Sequence, residues 1–236
     1  MKITHIDIIR DFDDGILGHA ASALVRVGTD SGIEGCAFSR NDPRTFIDSA
    51  QQALIGKDPH AIEAHIGNGL LHWASIEHAL WDIIGKEAGL PIHKLLGGFR
   101  ERLPVYLTCV WPGDADQSHI PPQVVAEQAV AYLEQGFRAM KIRSWRPDPM
   151  DDVAVVKAVK DAVGDRMDIM VDRTAHGPGW IWDFGTAYRV ARALEDVGAG
   201  WVEEPFGRGE VHESARLNEV VDIPITGAEG DYELEM

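Results

Sequence analysis

From residue 105 onward the chain repeats one unit about every 30 residues: a short apolar run, an amphipathic stretch and a glycine. Residues 105–110, 139–143, 169–172, 201–204 and 225–228 read as strands. Between them, 122–134, 149–163, 186–197 and 211–220 read as helices. The first two open on Pro122 and Pro149, and the first three are closed by Gly136, Gly164 and Gly198. Strict alternation of this kind requires parallel strands joined by helical crossovers. An open doubly wound sheet and a barrel share that pattern. No Gly-x-Gly-x-x-Gly follows any strand, so a dinucleotide fold loses ground.

The strand ends decide between the two. Lys141, Asp172 and Glu203 follow one another at intervals of 31 residues, and Glu229 lies 26 further on. Each falls within or at the end of one expected strand: Ala139-Met-Lys-Ile-Arg143, Ile169-Met-Val-Asp172, Trp201-Val-Glu-Glu-Pro205 and Ile225-Thr-Gly-Ala-Glu229. Functional groups gathered at the C-terminal ends of successive strands are the mark of a (β/α) barrel. Three carboxylates converging from neighbouring strands repel one another unless a cation neutralises them. An all-oxygen set with room for water and substrate suits Mg²⁺. Such a site can hold a substrate carboxylate and stabilise the charge left when the adjacent carbon loses its proton. Lys141 or a histidine could take that proton, a lysine crowded by cations having a depressed pKa. Arg143, always protonated, can hold an oxyanion.

The first hundred residues read differently. Strands are expected at 2–9, 20–27 and 33–39, with an acidic loop at 11–18, forming an antiparallel meander. Helices follow from Pro43 to Leu54, after Pro59, and over 72–88, where Ile76, Ala79, Leu80, Ile83 and Ile84 form an apolar stripe. Gly89 and Pro91 close the last of these. His65, His72 and His78 are 7 and 6 apart, a spacing that fits packed or solvated side chains better than ligands. The expectation is an α+β capping domain over 1–100, then a partial (β/α) TIM-type barrel of about five strands over 101–236.

Charge narrows the partners. Lys and Arg number 22 against 38 Asp and Glu, a net −16, which argues against nucleic acid or an anionic membrane surface. No apolar run is long enough for a membrane span, and Cys36 and Cys109 read as reduced, packed thiols, so a cytoplasmic protein is expected.

Taken together these motifs resemble the enolase superfamily, specifically its mandelate racemase / muconate lactonizing enzyme branch, over the whole chain. Ala79-Leu-Trp-Asp-Ile-Ile-Gly-Lys-Glu-Ala-Gly-Leu-Pro91 with Leu95-Leu-Gly-Gly98 is similar to the capping-domain signature. Lys141-Ile-Arg143 resembles the Lys-x-Lys strand, and Val171-Asp172, Glu203-Glu-Pro205 and Thr226-Gly-Ala-Glu229 resemble the ligand strands. The resemblance implies Mg²⁺ held by Asp172, Glu203 and Glu229, with acid–base chemistry at Lys141 and Arg143. It also implies abstraction of the proton α to a carboxylate in a small substrate such as an acid sugar or hydroxy acid, and a homo-oligomer in the full-length form. Glu204 is read as supporting the ligands.

Departures from that pattern shape the expected reaction. Arg143 stands where the family has a second lysine, which favours one-base dehydration over two-base racemisation. Thr174 stands where an Asn is frequent, and His176 is a candidate catalytic or substrate contact. The stretch 67–72 looks shortened. Specificity is expected from 11–18 and the surroundings of Arg40. The family continues beyond the position of Glu229 through three more strand–helix units. The chain alone is therefore expected to turn over weakly or not at all, with a racemase or cycloisomerase, a non-catalytic binding remnant, or half of a split assembly as alternatives.

Overall fold

A computed structural model describes residues 1–11, 23–39, 42–109, 120–174, 181–207 and 209–229. Two compact units divide the chain, Met1–Arg102 and Leu103–Met236.

The first unit opens with β1 (Ile3–Asp11), β2 (Ala23–Thr29) and β3 (Glu34–Ser39), an antiparallel sheet in the order β1-β2-β3. Ile6 pairs with Val27, and Arg26 with Cys36. Period-two alternation sends Ile6, Val25 and Val27 into the core and leaves Asp7 and Arg26 on the other face, where they meet at 3.0 Å. Four helices follow: α1 (Ile47–Leu54), α2 (Ile62–Ile66), α3 (Ala74–Ala88) and α4 (Ile92–Leu95).

Helix α3 carries the expected stripe, and Ile76, Ala79, Leu80 and Ile83 are all fully buried against the sheet. Each large side chain of that stripe contributes about 1.5–3 kcal/mol by leaving water. Gly35 lets α3 approach: a Cβ there would stand 2.0 Å from the Ala79 carbonyl oxygen. The Asp82 carboxylate fastens the same contact by accepting the Cys36 N–H at 2.9 Å and the Lys86 ammonium at 2.7 Å. His65 is buried and its Nε2 bonds the Asp58 carbonyl, while His72 and His78 are exposed.

The second unit alternates as expected: β4 (Leu107–Cys109), α5 (Pro122–Glu134), β5 (Ala139–Arg143), α6 (Pro149–Val163), β6 (Asp168–Asp172), α7 (Phe184–Asp196), β7 (Val202–Glu203), α8 (Val211–Asn218) and β8 (Ile225–Thr226). The sheet is wholly parallel, in the order β4-β5-β6-β7-β8. This is the expected partial barrel-like sheet of five strands. Met140, Ile142, Ile169 and Val171 pack with Val155, Val156 and Val159 of α6 in one apolar cluster. Helix α6 starts where Asp148 accepts the Met150 N–H at 2.9 Å with Pro149 behind it, and α7 starts where Asp183 accepts the Thr186 N–H at 2.7 Å. Among the described residues, no helix is long and apolar enough to cross a membrane.

Candidate metal centre

Parallel pairing lines the site up before any side chain is considered. Arg143 stands opposite Asp172 on β6, Asp172 opposite Glu203 on β7, and Glu203 opposite Thr226 on β8. Laterally paired residues of a parallel sheet project to the same face, so the row presents Arg143, Asp172 and Glu203 side by side at the strands' C-terminal ends. Lys141, two residues back on β5, shares that face.

The four side chains meet. The Lys141 ammonium donates to both Glu203 oxygens at 2.9 Å and lies 3.0 Å from Asp172 Oδ2. Arg143 Nη1 lies 3.1 Å from the same Asp172 oxygen and also donates to Thr174 Oγ1. The Thr174 hydroxyl donates to Asp172 Oδ1. Asp172 and Lys141 are almost completely buried, and Glu203 nearly so. Burial alone would lower the pKa of the Lys141 amine. Its hydrogen bonds to Glu203 and Asp172 outweigh that and hold it above the ordinary lysine value. Carboxylates surround the amine on the Asp172 and Glu203 side.

Aromatic side chains that the strand pattern did not single out line the site from below. The Lys141 ammonium lies 5.4 Å from the Tyr106 ring centroid, and Tyr106 meets Trp201 edge-on at 5.5 Å. Trp201 Nε1 donates to Glu203 at 3.3 Å. Trp201 is two residues before Glu203, and strand alternation alone would have placed both on one face. Behind the row, Asp172 and Ser144 join through backbone, Ser144 N–H donating to the Asp172 carbonyl at 2.8 Å. The buried Asp152 carboxylate accepts from Ser144 Oγ at 2.8 Å and Arg146 Nη1 at 3.0 Å, which fixes the turn after β5. Nothing in the repeat signalled that network, because Ser144 and Arg146 lie in the loop after β5 and Asp152 is a charged residue buried in the first turn of α6.

Glu229 is placed differently from its two expected partners. It lies exposed in the turn after β8, and its N–H donates to Glu204 Oε1 at 2.9 Å. Among the described residues, no group of three or more His, Cys, Asp or Glu side chains is gathered as a metal cage. The expected three-carboxylate cluster is thus realised as a pair, Asp172 and Glu203. The third carboxylate sits beyond the end of the neighbouring strand, because β8 stops at Thr226. The donor chemistry still fits a hard divalent cation: two carboxylates converge from adjacent strands, and the Lys141 ammonium marks where they focus positive charge. His176, the loop 11–18 and Arg40 lie outside the described residues, apart from Asp11 at the end of β1.

An α+β unit followed by parallel βα repeats, with a buried lysine and paired carboxylates at the strands' C-terminal ends, is the arrangement of an α/β fold of the barrel type. Residues 14–97 match the family described as mandelate racemase / muconate lactonizing enzyme, N-terminal domain, and 124–236 match the family described as enolase C-terminal domain-like. The chain belongs to the enolase superfamily, in its mandelate racemase / muconate lactonizing enzyme branch. It is 30% identical to the L-talarate/galactarate dehydratase of Salmonella typhimurium over 232 residues, 90% of this chain and 56% of that protein. It is 34% identical to the 3,6-anhydro-alpha-L-galactonate cycloisomerase of Streptomyces coelicolor, over 92% of this chain and 56% of that one. A solved relative is the D-glucarate dehydratase from Agrobacterium tumefaciens complexed with magnesium: TM-score 0.78, 25% identity, 97% of this chain and 67% of that one. The chain thus spans little more than half the length of these two curated relatives.

Proposed function

We propose that these residues serve a Mg²⁺-dependent abstraction of the proton α to a carboxylate, leading to dehydration of an acid sugar or related hydroxy acid. The observation that carries this reading is the Lys141 ammonium bracketed by Asp172 and Glu203 at the ends of adjacent parallel strands. Asp172 and Glu203 would hold the ion, with Glu229 as the third ligand. Bound there, Mg²⁺ would grip the substrate carboxylate and stabilise the negative charge that develops on it. With Mg²⁺ as the counter-charge to Asp172 and Glu203, Lys141 would shed its extra proton to solvent and, as the neutral amine, take the proton from the α-carbon. Arg143, tied to Asp172, keeps its charge and steadies an oxyanion. His176 is proposed as a further catalytic or substrate contact. Loss of hydroxide from the neighbouring carbon then completes the elimination of water.

The magnesium-bound glucarate dehydratase and the talarate/galactarate dehydratase support this reading. The cycloisomerase among the relatives favours isomerisation as a second reading. We propose further that residues 1–100 act as the capping domain and 101–236 as the barrel part, in a cytoplasmic homo-oligomer. With β4 and β8 each paired on one side among the described residues, the chain alone would exchange the α-proton slowly.

Calorimetric titration with Mg²⁺ tests the metal centre: one site is expected, lost in Asp172→Asn and in Glu203→Gln. Incubation with acid sugars in D₂O separates the reactions. Dehydration yields a 2-keto acid, whereas isomerisation incorporates deuterium with no water lost. Absence of Mg²⁺ binding, or of both deuterium incorporation and keto acid across the panel, overturns the proposal.

A further inference from the structure

Among the described residues, three that are not glycine take positive φ: Thr174 at 48°, Glu204 at 48° and Ala228 at 81°. Each lies within two residues of Asp172, Glu203 or Glu229. Left-handed backbone is costly for a residue with a side chain, of order 1–3 kcal/mol, and persists only where its surroundings hold it. At Glu204 those surroundings are visible. The residue leaves β7 with its N–H still donating to the Thr226 carbonyl at 2.9 Å. Its side chain is buried, and a buried carboxylate demands strong donors. One is the Glu229 N–H, at 2.9 Å from Oε1. The arm passes over Gly227, where a Cβ would stand 3.2 Å from Glu204 Cγ, so the missing side chain leaves it room. Strand β8 ends at Thr226, and the residues that carry Glu229 lie beyond its ladder.

We infer that Glu204 is a positioning residue: its carboxylate fixes the peptide of Glu229 and so holds the turn from which Glu229 would reach an ion at Asp172 and Glu203. The inference rests on the reading of Glu229 as a ligand. It gives the adjacent glutamates of Glu203-Glu-Pro205 separate tasks. Glu203 faces Lys141, and Glu204, turned by its left-handed backbone, reaches the next strand's turn instead.

The test uses the ¹⁵N-labelled chain, with amide exchange at Glu229 read by NMR and Mg²⁺ affinity by calorimetry. Glu204→Gln, which keeps an oxygen acceptor in place, is expected to leave both near wild type. Glu204→Ala is expected to speed exchange of the Glu229 amide about tenfold or more. It is also expected to weaken Mg²⁺ binding about tenfold to hundredfold, as loss of a ligand's support does. Amides of β5 and β6 are expected to hold their wild-type rates. Should Glu204→Ala loosen those as well, Glu204→Asp, one methylene shorter, carries the same expectation. An unchanged Glu229 amide in the variant that keeps β5 and β6 intact overturns the inference. So does a freed amide with unchanged Mg²⁺ affinity. A wild-type chain that binds no Mg²⁺ overturns the metal reading instead, and the amide rates then decide whether Glu204 fixes the turn.

Discussion

Lys141 and Glu203, 62 residues apart in sequence, meet through both carboxylate oxygens at 2.9 Å, with Asp172 as the third party at 3.0 Å from the same ammonium. Removing one member of a buried ion cluster costs more than the cluster contributes, because the remaining charges stay desolvated. Lys141→Met is therefore expected to lower unfolding stability by about 3 kcal/mol in urea titration. The double variant Lys141→Met/Asp172→Asn is expected to recover part of that loss, since the two changes are coupled. Strict additivity would show that the cluster is not energetically joined.

The same lysine gives a pH dependence. Its folded pKa lies above the ordinary value of 10.5 through the hydrogen bonds that outweigh its burial. The stabilisation is then fully present below 10.5 and is lost as pH rises through the folded pKa. Urea midpoints measured from neutral to strongly alkaline pH are expected to fall more steeply for wild type than for Lys141→Met. Equal slopes would contradict the assignment.

Cys109 is buried, and that desolvation pushes its thiol up to about 11. The thiolate, not the thiol, is the nucleophile, so Cys109 is expected to be inert at pH 8 in the folded chain. Half-buried Cys36 is expected to react first with a disulfide reagent, and Cys109 only on unfolding. Folding holds the Cys109 proton, so its contribution to stability declines as pH climbs from 9 towards 11. Two thiols titrating at one rate would refute this.

His60 bridges Asp58, at 2.9 Å from Nδ1, and Glu87, at 2.5 Å from Nε2. The hydrogen bond to Asp58, with Glu87 adding its charge, raises the imidazole above its usual 6.5. Stability from this link is complete below 6.5 and disappears as pH rises through the folded value. NMR titration is expected to show the raised pKa, and Asp58→Asn to bring it back down. An unshifted His60 resonance in wild type is the contrary result.

Gly35 makes the α3 contact possible, and a methyl group there would overlap the Ala79 carbonyl at 2.0 Å. Gly35→Ala is expected to destabilise the first unit by about 2 kcal/mol or more in thermal or urea unfolding. A stability equal to wild type would mean that α3 can slide without cost.

Much of this fold is written locally. Pro122 and Pro149 open helices, and Gly164 closes one, so the expected spans 122–134 and 149–163 coincide with α5 and α6. The strand 139–143 likewise coincides with β5. The ends of β7 and β8 were less legible. Expected at 201–204 and 225–228, they shrink to two residues each, and the backbone turns left-handed at Glu204 and Ala228, just past their ends. Composition has no signal for such strain. Helix α4 was missed because four residues between Pro91 and Gly97 carry too little periodicity. Lys141, Asp172 and Glu203 were legible from their spacing. The separation of Glu229 from them depends on where one strand stops, which spacing does not encode.

The lateral row of Arg143, Asp172 and Glu203 has a consequence for how the chain finds its fold. A slip of one residue between β5 and β6 would turn Lys141 or Asp172 into the cluster formed by Val155, Val156 and Val159, where neither charge has a partner. Misaligned strands are therefore penalised by the very groups proposed to perform the chemistry. The charged row proofreads the sheet, and a chain that assembles these strands correctly has, in the same event, assembled the core of its site.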